Sequence, residues 1–166
     1  GKKMVQHVID ALKPAVTSII IVANNDNYND LGYPVVHDII TDCGPMAGIY
    51  TGLLNSKSEL NLVVACDIPF VTPAVLNAIA HTHDDCDVVV PTRKGEAEPL
   101  CARYHRSVAY KMADELHDGQ LKLRELLRKL NVHAIEMKEE NGLHPEQLVN
   151  INTPELYKHY RNAAVK

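Results

Sequence analysis

No Cys-x-x-Cys pair occurs in the 166 residues, and the four cysteines, Cys43, Cys66, Cys86 and Cys101, lie far apart. Zinc sites and the frameworks of small secreted domains need closely spaced cysteines, so neither reading fits. Cys66 and Cys101 fall in apolar runs, where a free thiol is expected to behave as a small hydrophobe in a reducing, cytoplasmic setting. No apolar run approaches the length of a membrane span, and no signal-peptide pattern is found, so no membrane partner is expected. Basic excess is missing as well: 17 Lys and Arg stand against 21 Asp and Glu, for a net charge of −4. A duplex-binding surface carries a basic stripe, so nucleic acid is not an expected partner. The balance still leaves room for a local basic pocket that takes a phosphate-bearing small molecule. Internal repeats and low-complexity segments are also lacking.

What is present is an ordinary globular composition, 46% hydrophobic and 23% charged, which suits one domain spanning 1–166. Met4, Val5, Val8, Ile9 and Leu12 recur at helical spacing until Pro14 stops them. "SIIIVAN" (18–24) is a β-branched run of the kind covered on both faces of a parallel sheet, and "YPVVHD" (33–38) reads as a second strand. Gly44-Pro45 opens a helix, with proline at the first helical position. "NLVVACD" (61–67) reads as a third strand that ends on Asp67. Thr72-Pro73 caps the next helix. "CDVVVP" (86–91) and "PLCARYH" (99–105) follow as strands, with the polar "TRKGEAE" (92–98) read as a loop. Helices over about 107–117 and 121–130, a strand at 132–137 and a helix from Thr153-Pro154 complete the order. Alternating strands and helices imply right-handed βαβ units, an α/β fold with a mostly parallel sheet and one antiparallel element. Ligands of such sheets bind beyond the strand carboxyl ends, where Asn24, Asp38, Asp67 and Pro91 are expected to share one rim.

Several residues on that rim can carry chemistry. Gly44 and Gly48 let backbone and ligand approach closely at a helix start, or they serve a tight turn and close packing. Asp67 is either a loop cap or a carboxylate placed to hold a hard cation such as magnesium beside substrate phosphates. Asn150 and Asn152 point the same way if extended, either reading a polar ligand or satisfying loop backbone ahead of Thr153. Glu98 and Arg103 flank a strand start and are solvated charges or site residues. His81, His83, Asp84 and Asp85 are read as a solvated helix end, because helix residues two apart do not share a face.

"DCGPMAGIYTGL", "VVACDIPFV", "EPLCARY" and "NINTPEL" occur in the order and approximate spacing of the molybdenum cofactor guanylyltransferases, and "GKKMVQHVIDAL" resembles their first helix and preceding turn. The resemblance covers nearly the whole chain. It implies a Rossmann-like three-layer nucleotidyltransferase fold of the nucleotide-diphospho-sugar transferase type. It further implies transfer of GMP from GTP to molybdopterin, with magnesium as cofactor and pyrophosphate as the second product. On this likeness Asp67 matches the catalytic, metal-binding aspartate, Asp38 an acid on the guanine side, and Gly44 and Gly48 the glycines lining the nucleotide pocket. Asn24 lies near a nucleotide-contacting position, while Glu98, Pro99, Leu100, Asn150 and Asn152 match segments on the cofactor-substrate side. Other cofactor-synthesis proteins or molybdoenzyme chaperones are implied as partners. The family opens with a strand and a glycine-rich loop bearing an arginine and a lysine that embraces the triphosphate. This sequence starts just after where that lysine falls, so the strand and loop are expected upstream of Gly1, and a chain without them is expected to be nearly inactive, with an unpaired gap in its sheet. A CTP-dependent or other transferase of the same fold is the near alternative. A non-catalytic cofactor-binding or partner protein is the distant one. An aspartyl phosphatase is set aside, because Pro69 stands where its second acid belongs.

Overall fold

The computed structural model describes residues 2–82 and 85–163. The first helix, α1 (Met4–Leu12), turns Val8, Ile9, Ala11 and Leu12 inward, and Gln6 closes its start by accepting from the Lys3 N–H at 2.8 Å. Two short parallel strands follow, β1 (Ile21–Val22) and β2 (Val35–Val36), with Ile21 opposite Val35. Helix α2 (Gly44–Asn55) leads to β3 (Leu60–Val64), and α3 (Pro73–Ala80) leads to β4 (Val88–Arg93). The hairpin strand β5 (Glu96–Ala97), then β6 (Cys101–His105), α4 (Val108–His117), α5 (Leu123–Leu127), β7 (Val132–Glu136) and α6 (Pro154–Ala163) complete the described chain. Short 3-10 turns occupy Asn29–Leu31, Glu139–Asn141 and Pro145–Leu148. No helix among the described residues is long and apolar enough to cross a membrane.

In the larger sheet β6 lies between β3 and β4 and runs antiparallel to both, while β7 pairs parallel with β4. β3, β4 and β7 therefore share one direction and β6 is the reversed element among them. Alternation along β4 sorts the two faces: Val88 and Val90 join Met46, Leu53, Met112 and Leu126, whereas Val89 joins Val8, Leu76, Ile79 and Met137. One cluster is covered by α2, α4 and α5, the other by α1 and α3. The result is a three-layer α/β sandwich.

β1 and β2 form a separate two-stranded sheet. Between β1 and β3 runs a groove of about 890 Å³, bordered by every residue of 15–25 and of 60–67. Side chains of a strand alternate faces, so unbroken runs of lining residues mean that both strands present a backbone edge to the groove. Val8 and Leu12 of α1 line it, and so do Gly48 and Gly52 of α2.

Some expectations need correction. The 18–24 run forms a ladder only at Ile21 and Val22, because β1 pairs only with β2 and its other edge faces the groove. β3 ends at Val64, so Asp67 sits in a turn beyond the strand rather than on its last position. Pro91 is not at a strand end but buried inside β4. "TRKGEAE" is not a loop: Lys94 and Gly95, with φ of 53° and 78°, make a two-residue turn between β4 and β5. Proline occupies the second position of α2 rather than the first, because Gly44 takes the opening place with φ 62°. Cys101 is fully buried as expected, but Cys66, carried past the end of β3, is exposed. His83 and Asp84 lie outside the described residues, among which no group of three or more His, Cys, Asp or Glu could hold a metal.

Candidate functional site

Asn24 and Asp38 each follow a strand of the small sheet, and the parallel register brings them level. Asn24 Nδ2 donates to Asp38 Oδ2 at 2.9 Å, and the Asp38 N–H donates to Asn24 Oδ1 at 2.9 Å. Asp38 Oδ1 is buried with no hydrogen-bond partner, and it stands 3.7 Å from where a β-carbon on Gly48 would sit. The glycine thus keeps open the space in front of that oxygen. Thr51, one turn further along α2 and fully buried, accepts from the Ile39 N–H at 3.0 Å and ties the Asp38 loop to the helix. Sequence reading missed Thr51; its place at three residues after Gly48, on the same helix face, was the available signal. Gly44, at φ 62°, turns the chain into α2 in a conformation that other residues adopt only at a cost.

Asp67 lies across the groove from this pair. Its Oδ1 is a second buried oxygen without a partner, and Asn150 Oδ1 is a third. The Ile151 N–H donates to the Asp67 carbonyl at 2.7 Å, so the loop bearing Asn150 is laced to the turn bearing Asp67. Buried polar atoms are nearly always satisfied, so three orphaned acceptors along one rim call for a ligand rich in donors or positive charge.

Glu98 belongs to the same neighbourhood. Burial pushes its carboxyl above the usual range, the Leu100 N–H opposes that rise, and the negative charge of Asp67 adds to it. Leu100 N donates to Glu98 Oε1 at 3.4 Å, and the buried Tyr104 hydroxyl donates to the Pro99 carbonyl at 2.9 Å, fixing the Glu98–Leu100 segment from beneath. Arg103 is buried, with Nη1 donating to the Ala80 carbonyl at 3.0 Å, and so has a structural role at least.

Asn24, Gly48, Asp67 and Leu100 all border the 890 Å³ groove, together with Pro45 beside Gly44. Asp38 joins them through Asn24. Asn152 does not: it is exposed and borders a separate cavity of about 420 Å³ with Lys2, Thr153 and Tyr157.

Residues 1–135 match the model of the MobA-like NTP transferase domain. A molybdenum cofactor guanylyltransferase of Desulfosudis oleivorans is 33% identical over 159 residues, covering 93% of this chain and 79% of that protein. The crystal structure of molybdopterin-guanine dinucleotide biosynthesis protein A from Archaeoglobus fulgidus superposes with a TM-score of 0.80 at 25% identity, over 99% of this chain and 87% of that one. A 2-C-methyl-D-erythritol 4-phosphate cytidylyltransferase from Thermus thermophilus, only 13% identical, shares the fold with a TM-score of 0.74 over 100% of this chain and 91% of that one. By the domain match and by its likeness to these relatives, the chain belongs to the MobA-like NTP transferase family, among the molybdenum cofactor guanylyltransferases.

Proposed function

We infer that this chain acts in the transfer of GMP from GTP to the phosphate of molybdopterin. An oxygen of the acceptor phosphate forms a bond to the α-phosphorus of GTP, the bond from that phosphorus to the β-bridging oxygen breaks, and pyrophosphate leaves. The observation that carries the reading is the unpartnered Asp38 Oδ1 facing the space that Gly48 leaves open. Guanine presents N1–H and an exocyclic amine side by side, and a carboxylate accepts from both. Cytosine has no such pair of donors, which favours GTP over the CTP alternative. Asn24 holds the carboxylate in place through its two 2.9 Å bonds.

The second half of the site suits a hard divalent cation. Asp67 Oδ1 and Asn150 Oδ1 are buried oxygens with no protein partner, and oxygen donors are what magnesium takes. Asp67 would hold the ion, whose chemistry is to neutralise charge on the phosphates. Charge neutralisation and fixed orientation are most of what phosphoryl transfer asks of a protein. The residues of this chain contribute by gripping the base at Asp38 and fixing the acceptor side through the loop of Asn150. The Glu98–Leu100 segment borders the acceptor side, whereas Asn152 lines the neighbouring cavity. The groove between β1 and β3 is, on this reading, the seat of a further strand carrying the phosphate-gripping loop; its two free backbone edges support that assignment.

Competition binding tests the base assignment. GTP should displace a fluorescent guanine nucleotide from the protein, while CTP at equal concentration should not. Asp38→Ala should erase the difference. Equal displacement by both nucleotides would move the protein to the cytidylyltransferase alternative.

A further inference from the structure

Position 98 reads from sequence as part of the acceptor side, yet the sheet brings its turn to the same end as the turn of Asp67. Along the antiparallel β3–β6 ladder Val64 stands opposite Cys101, and the Ala65 N–H donates to the Leu100 carbonyl at 2.7 Å, one step further out in the same register. Asp67 lies two residues beyond Ala65 and Glu98 two residues before Leu100, so both stand at this same end of the paired strands. At that point each strand folds away in its own turn, closed by Ile68 N–H to the Ala65 carbonyl at 3.4 Å and by Cys101 N–H to the Glu98 carbonyl at 3.1 Å. The Glu98 N–H is held by the Pro91 carbonyl of β4 at 3.0 Å, so its position is fixed by the sheet and not by a loose loop.

Like charges brought together at one end of a strand pair are destabilising. The charge of Asp67 is felt at Glu98. Arg93 and Arg124 act on Glu98 in the opposite sense, but both are exposed and Arg124 is bonded to Glu96 at 3.1 Å. Among the described residues the Glu98 carboxylate accepts one hydrogen bond, from Leu100 N–H to Oε1 at 3.4 Å. Two carboxylates therefore share one half-buried strand end, where Asp67 Oδ1 has no hydrogen-bond partner among the described residues.

We propose that Glu98 is the second carboxylate of the cation site, so that a divalent ion is held between the turn after β3 and the turn before β6. The proposal rests on the reading of Asp67 as a cation ligand and extends it. It reassigns Glu98 from contacting the acceptor to holding the ion. Its structural consequence is that the ion ties together the ends of two strands of opposite direction, β3 and β6.

The probe is Mn²⁺, titrated into the full chain with and without GTP and followed by loss of the free-ion electron paramagnetic resonance signal. Glu98→Gln keeps an acceptor for the Leu100 N–H and removes the charge. It should weaken Mn²⁺ binding about 10-fold, the order seen when an oxygen partner of a metal site is lost. Asp67→Asn should weaken it at least as much. Mn²⁺ affinity unchanged in Glu98→Gln but lost in Asp67→Asn overturns the proposal and leaves the Asp67 reading standing. Affinity unchanged in both overturns the two together. Melting without cation gives an independent reading: Glu98→Gln relieves the repulsion and should raise Tm by a few degrees. Mn²⁺ should then stabilise the parent more than the variant. Equal Mn²⁺ stabilisation of both overturns the proposal even if one variant folds poorly.

Discussion

Asn24 and Asp38 hold each other by two bonds of 2.9 Å, amide to carboxylate in one direction and backbone N–H to amide oxygen in the other. The pairing consumes Oδ2 of Asp38 and leaves Oδ1 facing Gly48. Asn24 is thus a positioning residue, since it fixes which carboxylate oxygen is offered. Asn24→Ala should weaken GTP binding about 10-fold, the effect of losing one charge-assisted hydrogen bond from a preorganised group. CTP binding should hardly change. Equal loss for both nucleotides would show that Asn24 supports the loop and not the base site.

Gly48 gives a prediction in which stability and function part company. A β-carbon there meets only Asp38 Oδ1, at 3.7 Å, an ordinary contact distance. Alanine is also the better helix former by roughly 0.5–1 kcal/mol within a helix. Gly48→Ala should therefore melt at or slightly above the parent temperature while losing guanine nucleotide affinity by about 10-fold or more, the scale of a lost contact to a charged group. Fluorescence competition and thermal melts on the same preparation decide it. Retained affinity in a stable variant would place the base elsewhere.

The sequence made some of this legible and not the rest, for reasons that divide by range. Thr72 was readable as a cap because capping is local, and its hydroxyl does accept from Val75 N–H. Gly44-Pro45 was readable for the same reason, and so were the apolar runs of β3 and β4. The Asn24–Asp38 bonds depend on the parallel register of β1 with β2, which no local pattern encodes. That Asp67 and Glu98 stand at one end of the sheet likewise follows from the β3–β6 pairing. Their 31-position separation in sequence gives no hint of it. β1 came out shorter than its β-branched run because a strand's ladder needs neighbours, and one side of β1 faces a groove. The Lys94-Gly95 hairpin was hidden in a polar stretch, although a glycine following a turn residue was a usable sign.

Phe70, just past the Asp67 turn, stacks on Tyr157 of α6 with ring centroids 5.6 Å apart and planes 19° from parallel. The Tyr157 hydroxyl lies 3.4 Å from His7 Nε2 of α1. α6 begins two residues after Asn152, with the Thr153 hydroxyl between them accepting from Leu156 N–H at 3.2 Å. The stack therefore fastens the asparagine loop to the turn that carries Asp67. Phe70→Ala should cost about 2 kcal/mol, less than for a fully buried phenylalanine because the ring is half-exposed. Amide hydrogen exchange should rise in Tyr157 and its neighbours ahead of the sheet. Unaltered exchange across α6 would mean that the helix is held by other contacts.

Stability at high pH should report on the buried centre of β6. Burial pushes the Cys101 thiol from 9.0 up to about 12, and it pushes the Tyr104 phenol upward as well. Both groups are neutral when protonated, so the sign is fixed. Above pH 9 the unfolded chain releases the Cys101 proton while the folded chain keeps it, and stability falls as pH rises. The contribution is complete below pH 9 and is lost progressively up to the folded value near 12. One such proton gives a slope of about 1.4 kcal/mol per pH unit. Cys101→Ala removes that proton and should make the alkaline limb shallower by this amount, whatever it does to stability at neutral pH. Urea unfolding at several pH values between 8 and 11 measures the slope, and identical limbs in parent and variant would show that the thiol does not couple to folding.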